Sequence, residues 1–244
     1  MYRLECHAID DAYRKGAASV VVRDFAEALY RTVRTEQPGA VLEIGMANGV
    51  TSTAIAQALS DNGSGRVISI DPHQTTDWES GGLSLLAAAG LSDLHELREE
   101  PDFVALPALL ADGQKFDLVY IDGLHSLEYV LLDFFYADRL LNIGGVVGFN
   151  DCDWPAVIPT LKFVEKYRRY ERLSVGLSPT YEASNRVARK VAGVAPKLFR
   201  RNRLLGPLIG RRCEDRYYRK LSSWEPPEAF YRGIAGRAHP SSRF

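Results

Sequence analysis

Short apolar runs alternate with longer amphipathic segments along the first 155 residues of the chain. Apolar runs typical of buried strands lie at 40–45, 66–71, 94–99, 116–122 and 144–151. Segments with helical spacing or composition lie before or between them, at 17–36, 51–60, 83–90, 103–111 and 126–141. Strands that alternate with helices are typical of parallel βαβ units. The pattern therefore predicts an α/β fold with a doubly wound, mostly parallel sheet.

The pattern weakens after residue 155, where 161–170 has helical spacing and 171–177 with 185–191 predict a closing pair of strands. From residue 193 onward Pro, Gly and Arg interrupt every periodicity. We therefore predict three regions. These are an N-terminal helical cap at 1–36, an α/β domain at 37–192 and a basic C-terminal extension at 193–244.

Composition narrows the class of protein. The chain is 46% hydrophobic, which allows a sizeable core, and no run approaches the roughly 20 apolar residues that span a bilayer. The N-terminal stretch lacks the apolar region of a signal peptide. Three well-separated cysteines predict neither a disulfide framework nor a CxxC metal site: Cys6, Cys152 and Cys213. A reducing, cytoplasmic location is the simplest expectation.

Charge is distributed unevenly along the chain, whose formal net charge is -1. Residues 186–220 hold 12 Lys or Arg against two acids, Glu214 and Asp215, a net charge of +10. Several interpretations stay open: a lid, a homodimer contact, attraction of an anionic acceptor, contact with an anionic membrane, or a solvated face. Aromatic residues are too few there to favour nucleic-acid binding.

A glycine-rich turn joins the first predicted strand to the next helix, in the stretch "VLEIGMANGVTSTAIAQAL". The strand reaches Glu43, the turn contains Gly45 and Gly49, and Thr51 or Ser52 is positioned to cap the helix. Glycine permits close approach of a ligand to the backbone, and a helix N-terminus offers free N–H groups. The absence of a Gly-Lys-Ser/Thr sequence argues against a Walker phosphate loop.

Three strands end in polar residues at the same predicted edge of the sheet. Asp71 ends the second strand, where an acid can accept both hydroxyls of a ribose. Asp122 ends the fourth strand and Asn150 and Asp151 end the fifth. Neighbouring strands lie about 4.8 Å apart, so these oxygens can converge as ligands of the kind that Mg²⁺ prefers. His125 follows as a candidate general base.

These motifs resemble those of class I S-adenosylmethionine (SAM) methyltransferases over roughly residues 37–155. The resemblance rests on the ExGxxxG turn, the acid that ends the second strand and the pair "DLVYIDG…GGVVGFND". It implies a seven-stranded Rossmann-like sheet whose last strand is antiparallel, with residues 37–192 as the SAM-binding domain. It implies the following cofactor-binding residues: Gly45, Ala47 and Gly49 at the methionine part, Asp71 at the ribose, Asp102 near the adenine, and Glu43, Ser52 and Asp122 beside them.

The DxxH element is similar to that of a subgroup, the metal-dependent sugar O-methyltransferases of macrolide tailoring, including the mycinamicin and macrocin enzymes. In that subgroup the positions matching Asp122 and Asp151 bind Mg²⁺ and the histidine matching His125 is the base. The subgroup's Glu-Asp pair is Asn150-Asp151 here, so the site has one negative charge fewer, with Asp153 as a possible substitute ligand. The resemblance to catechol-type O-methyltransferases is looser, because no lysine base follows Asp122.

The sequence thus predicts a SAM-dependent O-methyltransferase that acts on a small hydroxylated acceptor, foremost a sugar or glycoside, with Mg²⁺ held by Asp122, Asn150 and Asp151. Two other classes stay open. One is a metal-free N- or carboxyl-methyltransferase in which His125 only caps a helix; the other is a non-catalytic SAM-fold partner protein. His73 is a candidate second metal or acceptor contact, but a surface histidine is the favoured interpretation. For Trp78 and Trp154, stacking on a sugar ring and core or rim packing are equally open.

Overall fold

A computed structural model describes residues 2–16, 23–177 and 215–223 of the chain. The strands are β1 (Ala40–Ile44), β2 (Arg66–Ile70), β3 (His95–Arg98), β4 (Phe116–Ile121), β5 (Leu141–Phe149), β6 (Tyr170–Leu173) and β7 (Arg216–Lys220). The helices are α1 (His7–Arg14), α2 (Arg23–Glu36), α3 (Val50–Asn62), α4 (Gly81–Ala88), α5 (Asp102–Ala111), α6 (Leu127–Leu140) and α7 (Ile158–Tyr167). Each predicted strand and helix up to residue 170 is present, with ends that shift by a few residues.

The strands form one sheet of seven in the order β3-β2-β1-β4-β5-β7-β6. The first five strands pair in parallel, and β7 pairs antiparallel with both β5 and β6. The predicted doubly wound, mostly parallel sheet with one antiparallel strand is therefore confirmed. The chain reverses its strand order between β1 and β4, and ligands of open α/β sheets bind beyond the strand ends at such a point.

Both faces of the sheet are covered because successive strand residues point to opposite sides. Val41 and Leu118 belong to a core that faces α2, α3 and α4, whereas Leu42 and Val119 belong to a core on the opposite face, beneath α5, α6 and α7. In α2 the apolar residues predicted from helical spacing are buried: Phe25, Ala28, Leu29 and Val33. Val21 lies outside the described residues.

The seventh strand differs from the sequence prediction. The strand that pairs with β6 is β7, which lies in the predicted basic extension, beyond residue 192. The predicted partner at 185–191 lies outside the described residues. Tyr217 and Tyr218 are buried on opposite faces of the sheet, and Lys220 is buried and donates to main-chain carbonyls of Asp138 and Leu141. The sequence did not predict β7 because the segment is rich in Lys and Arg, and lysine is rarely buried.

The start of α3 also differs from the prediction. Gly49 is the N-cap, with a left-handed φ of 73° and no side-chain cap bond, and the helix begins at Val50. Thr51 and Ser52 lie inside the helix and are buried, so neither is the cap. A left-handed backbone favours glycine, and at position 49 a Cβ atom would also lie 2.5 Å from the Cα of Gly82. Among the described residues no helix has the length and apolarity that crossing a membrane would need.

Candidate active site

A cavity of about 420 Å³ opens beyond the carboxyl ends of β1, β2 and β4. Its wall includes five of the residues predicted to bind the cofactor: Gly45, Ala47, Asp71, Asp102 and Asp122. Its volume lies in the range of small-molecule sites. The rest of the wall is largely apolar or aromatic and includes Trp78, Phe103 and Tyr129. One cavity therefore joins the glycine turn to the end of the fourth strand.

The glycine turn lies close against the loop after β4. Gly45 has a φ of 89°, and a Cβ atom built on it would lie 2.2 Å from the carbonyl oxygen of Asp122. The N–H of Asp122 donates to the carbonyl of Ile44 over 2.8 Å. Gly49 serves another contact, because a Cβ there would lie 2.5 Å from the Cα of Gly82 at the start of α4. Gly45 thus shapes the cavity and Gly49 the packing of α4.

Asp71 holds the turn in place with both carboxylate oxygens. Oδ2 accepts from the N–H groups of Ala47, over 2.8 Å, and of Met46, over 3.2 Å. Oδ1 accepts from the N–H of His73 over 2.9 Å. Because Asp71 also lines the cavity, it is positioned to organise the turn and to face a ligand. The His73 side chain is mostly exposed, 3.8 Å from Asp77.

Glu43 and Ser52 lie below the cavity rather than in its wall. The Ser52 hydroxyl donates to the carboxylate of Glu43, and Ser69 on β2 donates to the same oxygen. Glu43 and Ser52 are completely buried, and burial raises the pKa of Glu43. The geometry therefore gives no direct contact between either residue and a ligand in the cavity, and it makes them a link between β1, β2 and α3.

The predicted polar residues after β4 and β5 come together around His125. Nε2 of His125 lies 3.7 Å from Oδ1 of Asp122 and 3.6 Å from Oδ2 of Asp151. The side chain of Asn150 is close enough to act on the imidazole as well. Burial lowers the pKa of His125, and Asp151 and Asn150 partly offset that effect. The ring of Trp154 lies 5.2 Å from the imidazole, so an aromatic surface borders this group.

Asp215, just before β7, is a member of this cluster that sequence reasoning missed. Its Oδ1 accepts from Nδ2 of Asn150 over 3.0 Å, and its Oδ2 accepts from the hydroxyls of Tyr120, over 2.8 Å, and Tyr217, over 3.4 Å. Burial raises the pKa of Asp215 to about 7. The sequence does contain one indication of its role, because this acid lies close to two tyrosines within a mostly basic segment.

Acidic groups are concentrated at this end of the cavity. The pKa of Asp122 is raised well above its ordinary value, first by burial and then by the charges of Asp215, Asp151 and Glu43. A carboxyl group surrounded by other acids favours the binding of a cation. The oxygens of Asp122, Asn150 and Asp151 are hard ligands of the type that Mg²⁺ takes. Within the described ranges, however, no group of three or more His, Cys, Asp or Glu side chains is arranged to hold a metal ion.

The opposite end of the cavity is formed by the start of α5 and by α6. Asp102 is the first residue of α5 and is almost fully buried. The rings of Phe103 and Tyr129 pack edge to face with centroids 6.5 Å apart. An acceptor-only carboxylate beside aromatic and apolar walls suits a flat heterocycle that carries an N–H donor.

Comparison with known proteins agrees with the fold. Residues 42–152 match the family model described as "Methyltransferase domain". Caffeoyl-CoA O-methyltransferase 1 of Eucalyptus globulus is 28% identical over 137 residues, 53% of this chain and 53% of that protein. Caffeoyl-CoA O-methyltransferase 2 of Petunia hybrida is 28% identical over 141 residues, 53% of this chain and 54% of that protein. The chain thus spans about half the length of the curated relatives it matches.

Solved structures share the same architecture. The O-methyltransferase TomG from Streptomyces achromogenes, involved in tomaymycin synthesis and in complex with SAM, has a TM-score of 0.60 at 22% identity, over 71% of this chain and 84% of that one. An O-methyltransferase from Bacillus cereus in complex with S-adenosylhomocysteine (SAH) has a TM-score of 0.60 at 17% identity, over 70% and 84%. At these identities the likeness concerns the fold. Residues 42–152 are thus similar to a methyltransferase domain, and the sheet has the architecture of these solved O-methyltransferases.

Proposed function

We propose that the protein transfers a methyl group from SAM to a hydroxyl group of a small acceptor. The observation that carries this proposal is a cavity that joins the glycine turn and Asp71 to Asp122, whose carboxylate lies 3.7 Å from the imidazole of His125. The relatives named as O-methyltransferases support the same reaction class. SAM would lie along Gly45 and Ala47, with its ribose at Asp71 and its adenine toward Asp102.

The transfer is a one-step displacement in which the acceptor oxygen attacks the methyl carbon as the carbon–sulfur bond breaks. The bonding electrons stay on sulfur and give SAH, while the hydroxyl proton must leave the acceptor. His125 is placed to take that proton, because burial keeps its pKa low and its imidazole neutral near pH 7. Asp151 and Asn150 then stabilise the imidazolium that forms.

Asp122, Asn150 and Asp151 would hold a divalent cation, since their oxygens come from adjacent strand ends and lie in excess negative charge. When bound, such an ion lowers the pKa of an acceptor hydroxyl and fixes its orientation. The protein's own contribution is to bring the two carboxylates within 4 Å of one imidazole nitrogen.

The acceptor is proposed to be a hydroxylated ring, foremost a sugar or glycoside. Trp154 is 40% exposed beside His125, and Leu124 is 60% exposed at the rim of the cavity. The flat ring of Trp154 beside the general base can stack on the face of an acceptor ring. Trp78 adds a second aromatic side chain to the wall of the cavity. A phenolic ring, as in the caffeoyl group named in the relatives, is the competing acceptor.

The proposal is tested by SAH binding followed by an acceptor screen. Calorimetry should detect SAH binding to the full chain, and incubation with SAM should release SAH in the presence of hydroxylated acceptors, glycosides and catechols in separate arms. Methylated oxygen identified by mass spectrometry supports the proposal. Methylation confined to amines or carboxylic acids would reassign the reaction. Binding of SAH without turnover on any acceptor would favour a non-catalytic partner protein.

A further inference from the structure

Asp133 is a completely buried carboxyl group on α6 that no mechanism above uses. Its side chain has 0% exposure, and neither of its oxygens receives a hydrogen bond from any donor among the described residues. Asp102, at the end of the cavity assigned to the adenine, is a neighbouring acid that interacts with it. Two acidic groups thus meet behind the cavity wall.

Asp133 has neither a donor within the described ranges nor access to water to stabilise a charge, so its buried site favours the neutral, protonated carboxyl. Burial and the neighbouring Asp102 raise the pKa of Asp133 to about 9. Asp102, by contrast, is the first residue of the ten-residue α5 and accepts the N–H of Phe103 over 2.7 Å. Asp133 therefore carries a proton, and the carboxyl of Asp102 at the start of the helix is the acceptor that it meets.

We propose that Asp133 is a positioning residue that donates a hydrogen bond to Asp102 and thereby fixes the remaining lone pairs of Asp102 toward the exocyclic amine of the adenine. This inference rests on the proposed function, since it assumes that SAM occupies the cavity. It makes the acid pair the element that distinguishes adenine from purines without that amine.

The chemistry of Asp102 explains the selectivity. Carboxyl oxygens of Asp102 that face the cavity accept hydrogen bonds, so they bind an amine at the edge of the purine and repel a carbonyl oxygen there. Sites built to hydrogen-bond a donor reject analogues without it far more strongly than apolar sites reject size differences. Inosine carries a carbonyl oxygen where adenosine carries the amine, so the two nucleosides probe this contact directly.

The test measures binding of SAH and of S-inosylhomocysteine, its deaminated analogue, by calorimetry. We expect the unmodified protein to prefer SAH by at least about 100-fold. Asp133→Asn keeps an N–H donor toward Asp102 and should keep the preference within about threefold. Asp133→Leu has similar size but no donor, and it should lose at least about tenfold in SAH affinity with little change for the inosyl analogue. Glu128→Gln, on the exposed face of α6, is the control.

The outcomes separate this inference from the proposed function. If the unmodified protein fails to bind SAH, both the proposed function and this inference are wrong. If it binds SAH but shows no preference over the inosyl analogue, or if Asp133→Leu weakens both ligands equally, the inference alone is overturned. If Asp133→Leu does not fold, Asp133→Asn decides: a retained preference supports the donor role, and a lost preference contradicts it.

Discussion

Nδ2 of Asn150 donates a hydrogen bond to Oδ1 of Asp215 over 3.0 Å. This bond joins the end of β5 to the residue before β7 and fixes which end of the amide faces which neighbour. With its nitrogen turned to Asp215, Asn150 presents its carbonyl oxygen to the imidazole of His125. The antiparallel strand thereby orients a residue of the candidate active site.

Replacing Asp215 with Asn should impair turnover more than cofactor binding. An amide at position 215 has one acceptor oxygen where the carboxylate has two, so it cannot accept from Asn150 and Tyr120 on separate oxygens. This competition is expected to turn the Asn150 amide away from His125. Replacing a residue that orients an active-site group typically lowers activity by about 10- to 100-fold. We expect kcat to fall by that factor and SAH affinity to stay within about twofold.

Tyr217→Phe is the control for Asp215→Asn. It removes the longer contact to Asp215, at 3.4 Å, and leaves the Asn150 contact intact. Steady-state kinetics and thermal unfolding should show a small effect on both kcat and stability for this variant. Full turnover by a folded Asp215→Asn protein would show that the orientation of Asn150 is irrelevant to the reaction.

His125→Ala should reduce kcat by about 10²- to 10⁴-fold, the usual contribution of a general base. SAH binding should change little, because His125 lies beside Asp122 and Asp151 rather than among the cavity-lining residues. His7→Ala, on the exposed side of α1, controls for loss of a histidine. If His125→Ala kept its kcat, the imidazole would be a structural group and the proton would leave by another route.

Sequence could predict the strand ends because each polar residue directly follows its apolar run, as with Asp71 and Asp122. It could not predict Asp215, whose partners Asn150 and Tyr120 lie 65 and 95 residues away. Nor could it orient Glu43, which precedes the last residue of β1. Alternation puts Glu43 on the face opposite to Leu42 and Ile44, but which of the two faces α3 covers is decided by tertiary packing.

Removal of divalent cations should lower turnover by at least about tenfold, and added Mg²⁺ should restore it. SAH affinity should remain within about twofold, because the glycine turn and Asp71 are held by protein hydrogen bonds. Asp151→Asn should raise the Mg²⁺ concentration needed for half-maximal rate, and Asp112→Asn in the exposed turn after α5 should not. Activity that survives exhaustive chelation would remove the metal from the proposal.

Gly45→Ala should destabilise the fold by about 2 kcal/mol or more, because it combines a left-handed backbone with a clash against a main-chain oxygen. The built Cβ lies 2.2 Å from the carbonyl of Asp122. Gly63→Ala, at φ 79° with nothing within 4 Å of its Cβ, isolates the backbone term at about 1 kcal/mol. Urea unfolding measures the free energy of unfolding of both variants. Equal decreases would mean that the loop after β4 moves away from the added methyl group without cost.

His95 should make the protein lose stability as the pH falls from about 6.5 to about 4. Nε2 of His95 lies 2.9 Å from the Ser69 hydroxyl on β2, and burial lowers the pKa of His95 to about 4. In this window the folded protein keeps His95 neutral whereas the unfolded chain binds a proton. Since the unfolded state then holds more protons, the free energy of unfolding decreases with falling pH.

His95→Gln should abolish that part of the pH dependence. The pKa shift corresponds to about 2 kcal/mol after allowance for partial exposure, so the unmodified protein should lose about that much more than the variant between pH 7 and pH 4.5. Glu43, whose raised pKa acts in the opposite direction, is present in both proteins and cancels in the difference. Urea unfolding at several pH values, with His7→Gln as control, measures this difference. Parallel stability curves for the unmodified protein and His95→Gln would mean that His95 binds its proton equally well in the folded state.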